Sequence, residues 1–205
     1  MKRINDEALL ERIGFNPHKG QKPIIEAIKD PTKRDFVLVC GRRFGKTFVA
    51  AYAAFRELLK PNRNIWIVAP TSDLTQKTFS YILRFLSKIY EPGDFSIKTK
   101  PYTKLTMANG TWLECKTADN PVSLIGEELD LLIIDEAARI APMIYERELS
   151  ATTMSRKGRT IFISSPKGKN WFYNKYKSIE KNENGFVWNA PSSDNPENTP
   201  EELER

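Results

Sequence analysis

The 205-residue chain has 32 lysine and arginine residues against 26 aspartate and glutamate residues, and the net charge of +6 suggests an anionic partner without proving one. Its length suits a single large α/β domain, and its two cysteines and one histidine form neither a disulfide framework nor a zinc-binding pattern. No apolar run is as long as a membrane span and the amino terminus is too polar for a signal peptide, so we expect a soluble intracellular protein without a membrane partner.

The predicted elements alternate between helices and strands. In chain order they are helices over 5–14 and 22–29, a strand over 36–39, a helix from 48, a strand over 65–69, a helix over 74–90, short strands over 95–98, 104–107 and 112–115, a strand over 129–134, a helical region over 142–151, a strand over 159–164, a helix over 169–180 and a linker over 191–205. We expect Asp73 to cap the helix over 74–90, Pro92-Gly93 to end it, and Asn109-Gly110 to form a hairpin turn. Residues 1–190 are therefore predicted to form one α/β domain, a mainly parallel sheet flanked by helices with a small antiparallel addition.

The segment Cys40-Gly-Arg-Arg-Phe-Gly-Lys-Thr47 predicts a phosphate-binding loop, because it lies between an apolar strand and a helix-forming stretch. Glycines at 41 and 45 let backbone N–H groups turn towards an anion, and the helix that follows points its positive end at it. Lys46 would reach the β- and γ-phosphates and Thr47 would ligate Mg²⁺. A basic turn before a helix is the alternative, since Cys40 stands where the usual pattern has glycine. The residues assigned to nucleotide binding here are Gly41, Arg42, Arg43, Phe44, Gly45, Lys46 and Thr47.

A second motif follows the apolar run 129–134, which is interrupted by Asp130 and has the pattern of a strand buried on both faces. It ends in Asp135-Glu136-Ala-Ala. A carboxylate at the end of a central parallel strand can hold Mg²⁺, so Asp135 is predicted as a metal ligand. Glu136 is placed to deprotonate a water that attacks the γ-phosphate. The alternative is an acidic helix cap, but together with the loop the motif indicates a nucleotide hydrolase.

A third motif, Ser164-Ser165-Pro166-Lys-Gly, ends the strand over 159–164, where its hydroxyls could sense the γ-phosphate; the alternative is a plain turn. The order of the three motifs, followed by Asn170-Trp-Phe-Tyr173, resembles the ATPase domain of phage terminase large subunits, the motors that pump double-stranded DNA into viral procapsids. The resemblance covers about residues 12–198. It implies a P-loop NTPase of the additional-strand, catalytic-glutamate type that hydrolyses ATP with Mg²⁺ in the cytoplasm of an infected bacterial host.

The resemblance also assigns roles near the nucleotide. Phe15 and Pro17 would lie against the adenine and Gln21 would read its edge. Arg42 would be catalytic beside Lys46 and Glu136, because a guanidinium there can neutralise charge on the γ-phosphate. Arg43 could do so equally. The coupling of hydrolysis to movement would fall to Ser164, Ser165 and Pro166.

Two features depart from the family pattern. Many relatives have Leu-Arg-Gly shortly before the acidic strand, where some carry an arginine that reaches the adjacent subunit, and this chain has Leu124-Ile-Gly126. An arginine finger would then come from Arg139, Arg147, Arg156 or Arg159. Family members also continue into an RNase H-like nuclease, and Asp194-Asn-Pro196 resembles the segment before that connection. The chain ends at Arg205, where that domain would begin, so we expect an ATPase module without DNA cleavage.

The family implies double-stranded DNA, a homo-oligomeric ring on a portal and the small terminase subunit as partners. DNA contacts are expected from two basic clusters, although ordinary solvated side chains are the alternative. They are Lys98, Lys100, Lys104 and Lys116 on the short strands, and Arg156, Lys157 and Arg159 in the loop before strand 159–164. Two other functions stay open. One is a nucleotide-dependent assembly or docking module with little turnover, and the other is a superfamily 2-type helicase fragment, which needs a second domain.

Overall fold

A twisted eight-stranded sheet forms the centre of the computed structural model, which describes residues 5–199 and 201. The strands are β1 (Asp35–Cys40), β2 (Asn64–Ala69), β3 (Phe95–Lys98), β4 (Lys104–Met107), β5 (Trp112–Thr117), β6 (Leu131–Asp135), β7 (Arg159–Ser164) and β8 (Gly185–Ala190). Their order in the sheet is β3-β4-β5-β2-β6-β7-β1-β8. The pairs β3–β4 and β4–β5 are antiparallel, and all pairs from β5 to the β8 edge are parallel. The predicted α/β architecture with a small antiparallel addition is confirmed.

Both faces of the sheet are covered because alternate strand residues point to opposite sides. In β1, Phe36 and Leu38 pack into one apolar cluster and Val37 into the other. The first cluster includes helices α1 (Asp6–Ile13), α2 (Lys22–Lys29), α3 (Lys46–Leu58) and α4 (Ser72–Leu86). The second lies under α5 (Trp171–Glu180), a 3₁₀ turn (Ala137–Arg139) and a π-helical segment (Ile144–Leu149). None of the described helices is both long and apolar enough to cross a membrane.

The strand order decides where the motifs meet. β7 lies between β1, which leads into the phosphate loop, and β6, which ends in the acidic pair. Because these three strands are parallel, their carboxyl ends stand side by side at one edge of the sheet. Cys40, Asp135 and Ser164 are the last residues of the three strands, so the three motifs converge there.

Helix α4 departs from its prediction at both ends. It begins at Ser72 with Thr71 in the capping position, so the prediction that Asp73 caps it is wrong. Asp73 lies in the first turn, where its charge favours the positive helix end. The helix ends at Leu86, well before Pro92-Gly93, because the N–H groups of Lys88 and Ile89 donate to carbonyls three residues back instead of four.

The sequence did not predict β8, an edge strand that is mostly half-buried and has an apolar run of only three residues, Phe186-Val187-Trp188. It pairs in parallel with β1 and carries the chain to the same edge as the phosphate loop. Residues 191–199, predicted as part of a linker, instead contain a 3₁₀ turn (Ser192–Asp194) that packs on that loop. The rest of the predicted linker, apart from residue 201, lies outside the described residues.

Candidate active site

The loop between β1 and α3 has the backbone of an anion-binding concavity. Arg43 and Gly45 both lie in the left-handed region, with φ of 58° and 88°. Residues in this conformation, alternating with ordinary ones, turn successive N–H groups to the same side. Lys46, the first residue of α3, is buried at 8% exposure, and its Nζ lies 3.1 Å from Ser165 Oγ at the end of β7. The loop therefore connects directly to the third motif.

Asp135 is 2% exposed at the end of β6. Its Oδ2 accepts hydrogen bonds from Thr47 Oγ1 at 3.4 Å and from Thr78 Oγ1 of α4 at 3.2 Å. Its Oδ1 accepts from the backbone N–H of Glu136 at 2.8 Å. Burial raises the pKa of Asp135 to about 6, and the nearby Glu136 carboxylate raises it further by a smaller amount. The hydrogen bonds from the N–H of Glu136 and from Thr78, together with the charge of Lys46, lower this pKa in part.

These groups fit Mg²⁺. A buried carboxylate whose charge is under-compensated and a hydroxyl 3.4 Å from it are hard oxygen ligands. Among the described residues no group of three or more His, Cys, Asp or Glu side chains could hold a metal ion. Such a sparse ligand set suits Mg²⁺, which keeps several waters and binds phosphate oxygens. Thr47 and Asp135 would hold it.

Glu136 begins the 3₁₀ turn in the left-handed region, with φ of 51°. A non-glycine residue there costs on the order of 1 kcal/mol, and such strain clusters at functional sites. The backbone N–H of Arg139 donates to Glu136 O at 2.8 Å, and Arg139 Nε lies 3.6 Å from Glu136 Oε2. The turn is fixed from outside as well, because Asn170 Nδ2 donates to Ala138 O and Trp171 Nε1 donates to Ile140 O, at 3.3 and 2.8 Å.

A cavity of about 480 Å³ opens between the three motifs. It is lined by Arg42, Arg43, Lys46, Glu136, Arg139, Ser164, Ser165, Pro166 and Lys167. Five of these side chains are cationic and one is a carboxylate, so the cavity favours an anion. Ser164 Oγ is buried without a hydrogen-bond partner among the described residues, which leaves it available to a ligand oxygen.

The predicted adenine segment lies beside the loop. The Phe15 ring is 6% exposed among Phe48, Tyr52 and Phe85, so its faces are occupied by the core and do not form the expected surface for a base. Pro17 is half-buried. The amide of Gln21 is also occupied, because Nε2 donates to Phe44 O at 3.4 Å and Oε1 accepts from the N–H of His18.

The four arginine candidates for a finger have different surroundings. Arg156 donates to Asp130 Oδ2 and Asn62 O, both at 2.8 Å. Arg159 donates to three backbone carbonyls, and burial lowers the pKa of its guanidinium to about 10. Arg147 is exposed on the π-helical segment. Arg139 is the member of this described set that lines the cavity.

The lysines predicted to bind DNA have different surroundings in the structure. Lys98 and Lys104 are opposite each other on β3 and β4, but Lys100 lies in the loop beyond β3. Lys104 stacks over the Trp112 ring at 4.1 Å, and Lys116 is buried against the Tyr102 ring at 3.9 Å. Lys157 is exposed, and its carbonyl accepts a hydrogen bond from Arg34. Burial therefore removes Lys116 from the set that DNA could reach.

Sequence reasoning missed three residues that shape the site. Thr78 contacts Asp135, while His18 and Asn195 bind carbonyls of the phosphate loop. Each acts across a long sequence separation, and no local sequence pattern indicates any of these contacts. The resemblance to the family did single out the triplet 194–196, which contains Asn195, but it assigned no contact with the phosphate loop to that residue.

Comparisons with known proteins are consistent with this geometry. A family described as "Terminase large subunit, T4likevirus-type, N-terminal" matches residues 37–201. The terminase large subunit of Escherichia phage T5 is 32% identical over 174 residues, covering 83% of this chain and 39% of that protein. The chain thus spans about two fifths of the length of the curated relatives it matches.

Solved structures share the fold. The ATPase domain of the Thermus phage P74-26 large terminase is 24% identical, has a TM-score of 0.72, and the match covers 93% of this chain and 86% of that domain. The large terminase of the thermophilic bacteriophage D6E in complex with ADP is 18% identical with a TM-score of 0.72, and the match covers 93% and 49% of the two chains.

Proposed function

Since the chain belongs to the terminase large subunit family, to its T4likevirus-type N-terminal part, we propose that it hydrolyses ATP with Mg²⁺ to drive double-stranded DNA into a viral procapsid. One observation carries the proposal. A cationic cavity brings Lys46 of the phosphate loop, the strained Glu136 and the hydroxyls at the end of β7 together beside the buried Asp135. A site for binding alone would not require a carboxylate positioned as Glu136 is.

The residues divide the reaction among them. Loop N–H groups and Lys46 would hold the β- and γ-phosphates, and Thr47 and Asp135 would hold Mg²⁺, which would neutralise phosphate charge. Glu136 accepts a proton from the attacking water while the water oxygen forms a bond to the γ-phosphorus. The bond between that phosphorus and the bridging oxygen breaks, and ADP leaves with the bond's electron pair. Ser164 and Ser165 contact the γ-phosphate, and Lys46 exchanges its bond to Ser165 for the nucleotide.

Arg42 and Arg139 supply positive charge within the subunit. Arg42 lies in the loop itself, and Arg139 is the finger candidate that faces the cavity of its own chain. In the structure Arg139 lies beside the Glu136 carboxylate at 3.6 Å. A γ-phosphate carries more negative charge than a carboxylate, so it would attract Arg139 away and free Glu136 to accept the proton.

A subunit-mixing experiment distinguishes this arrangement from an arginine supplied by a neighbour. Glu136→Gln protein, which keeps Arg139, is mixed with Arg139→Ala protein, which keeps Glu136. We expect each variant to lose about 10³-fold in turnover and the mixture to stay inactive. Recovery of ATPase activity on mixing would mean that Arg139 acts in the adjacent subunit. Arg147→Ala is the matched control, because that arginine is exposed outside the cavity.

The family also supports the remaining partners. We propose a ring of copies on a portal, engagement with the small terminase subunit, and action in the cytoplasm of the bacterial host. We propose DNA contact for Lys98, Lys100 and Lys104, on and near the antiparallel strands, and for Lys157 in the loop before β7. We leave out Arg156, because it is held in an ion pair with Asp130.

Steady-state ATP hydrolysis over a wide range of protein concentration tests the proposed function, with Glu136→Gln as the control. Turnover that is lost by about 10²-fold or more in the variant supports the catalytic site. A rate that rises faster than linearly with protein concentration supports a self-assembling motor. Nucleotide binding without Glu136-dependent turnover would instead favour a docking module that uses ATP only to assemble.

A further inference from the structure

Residues 190–198 form a strap across the phosphate loop. Ala190 O accepts a hydrogen bond from the N–H of Gly41 at 2.9 Å, which fixes the start of the strap to the start of the loop. The strap is closed on itself, because Asn198 Nδ2 donates to Ser192 O at 2.6 Å and the N–H of Asn195 donates to the same carbonyl at 3.2 Å. It is therefore a folded element rather than an extended tail.

Gly41 is small because the strap requires it. A Cβ at this position would lie 2.5 Å from the backbone nitrogen of Ser192 and would overlap its Oγ as well. The backbone of Gly41 does not have the positive φ of Gly45, so conformational freedom does not explain the glycine. Its role in this structure is to let the strap approach the loop.

The strap and the amino-terminal segment together hold the outward carbonyls of the loop. Asn195 Nδ2 donates to Arg43 O at 2.7 Å, and His18 Nε2 bonds to Phe44 O at 3.0 Å. Neither Asn195 nor His18 lines the anionic-ligand cavity. In an anion-binding loop the N–H groups face the ligand and the carbonyls face away, so a donor on a carbonyl fixes its peptide plane. The N–H on the Arg43 peptide is that of Phe44, which donates to Gly41 O at 3.4 Å, so the hydrogen bond from Asn195 fixes the turn that shapes the loop.

The hydrogen-bond direction at His18 is determined by its other nitrogen. The N–H of Gly20 donates to Nδ1 at 3.2 Å, so Nδ1 is an acceptor and Nε2 carries the proton. His18 is then a donor to Phe44 O, and Asn195 is a donor to Arg43 O. Two consecutive loop carbonyls are each held by a side chain from a distant part of the chain.

We infer that Asn195 is a positioning residue for nucleotide binding, which acts by holding the left-handed Arg43 peptide in the orientation that binds phosphate. The inference rests on the proposed ATPase function. Because a nucleotide would bind the strapped form of the loop more tightly than an unstrapped one, binding must in turn stabilise the strap. Closure of the strap and nucleotide binding are therefore thermodynamically linked.

The test compares three variants of the chain in Mg²⁺ and a fluorescent ATP analogue. Asn195→Asp keeps the shape but replaces the donor with an acceptor that repels Arg43 O, and Asn195→Ala removes the donor. Asn184→Asp is the matched control, since this exposed asparagine precedes β8 at the opposite end of the same strand. We expect the dissociation constant to rise about two- to tenfold for Asn195→Ala, more for Asn195→Asp, and little for Asn184→Asp.

Steady-state kinetics separate positioning from general damage. KM should rise in the Asn195 variants while kcat stays within about twofold, because the bond acts on binding rather than on the reacting atoms. A fall in kcat with unchanged KM, or an Asn195→Asp variant that binds like Asn184→Asp, would overturn the inference. If Asn195→Asp does not fold, the same comparison is made with Asn195→Ala.

Hydrogen exchange provides the reciprocal measurement. Addition of Mg²⁺ and ADP to the wild-type chain should slow exchange in residues 190–198, and this slowing should be smaller in Asn195→Ala. Exchange in the strap that does not respond to bound nucleotide would refute the linkage. A wild-type chain that binds no nucleotide would overturn the proposed function and the inference together, whereas normal binding that ignores Asn195 would overturn the inference alone.

Discussion

Asn in place of Asp135 is expected to stabilise the protein while it abolishes Mg²⁺-dependent nucleotide binding. Asp135 is 2% exposed, and its side chain is surrounded by the hydroxyls of Thr47 and Thr78 rather than by an ion-pair partner. An asparagine retains the shape and the acceptor for the N–H of Glu136, and the two hydroxyls can accept from its amide. Only the buried negative charge is removed.

The pKa of Asp135 gives the magnitude. Its rise from 3.8 to about 6 corresponds to about 3 kcal/mol that favours the neutral carboxyl in the folded protein. Because the folded-state pKa is above the unfolded value, the ionised group lowers stability above pH 6, and this cost is absent below about pH 4. Without metal at pH 7.5, Asp135→Asn should therefore unfold at a temperature higher by on the order of 10 °C, and the difference should disappear near pH 4.

Thermal unfolding in EDTA at pH 4, 6 and 7.5 measures this, followed by the same series with Mg²⁺ and ADP. In the second series the wild type should gain stability and the variant should not. Asp130→Asn is the matched control, since Asp130 is 5% exposed but paired with Arg63 and Arg156 at 2.6 and 2.8 Å. It should destabilise the protein, because it removes the ion pairs that a buried carboxylate makes with two arginines, whose side chains are 33% and 32% exposed. The reasoning fails if both variants lose stability alike at every pH.

Three further predictions address other parts of the molecule. Arg156→Gln should lower the unfolding temperature with little change in DNA affinity, because Arg156 is ion-paired with Asp130. Lys98→Gln should leave stability unchanged and reduce the salt dependence of DNA binding by about one phosphate contact. Equal effects of the two substitutions would contradict this distinction between the two cations. Burial raises the pKa of both Cys40 and Cys115 to about 12, so a thiol reagent at pH 8 should label neither in the native protein and both in denaturant, as measured by absorbance. Trp171→Phe replaces the indole with a smaller aromatic ring and removes the hydrogen bond to the turn that follows Glu136, so it should lower kcat about two- to tenfold at unchanged KM in steady-state assays. An unchanged kcat would argue against that support.

The predictable parts of the fold are those whose signal is local. The run before Asp135 is a strand buried on both faces, and its apolar letters are contiguous in the sequence. The loop ending in Lys46 depends on a strand, two glycines and a helix within one short segment. In both cases the residues that define the motif are also the residues that make the element, so sequence and structure carry the same information.

Other features depend on which distant segments meet. β8 is an edge strand with one fully buried residue, Ala190, so its pattern resembles that of a surface segment. A phenylalanine such as Phe15 can stack on a base or fill a core, and the sequence around it does not distinguish the two. Its position in the core depends on the aromatic rings supplied by α3 and α4. Asn195 contacts Arg43 across 152 positions of the chain, and no spacing rule foresees that contact.

The two hydrogen bonds from the start of α5 to the turn after Glu136 connect that helix mechanically to the turn. Ser165 contacts Lys46 at one end of a short connection, and Asn170 and Trp171 hold the carbonyls of Ala138 and Ile140 at the other. A shift of Ser165 when the γ-phosphate departs would tilt a rod about 15 Å long. A small rotation at its base would then move its far end by about a few ångström, on the opposite face of the sheet from α3 and α4.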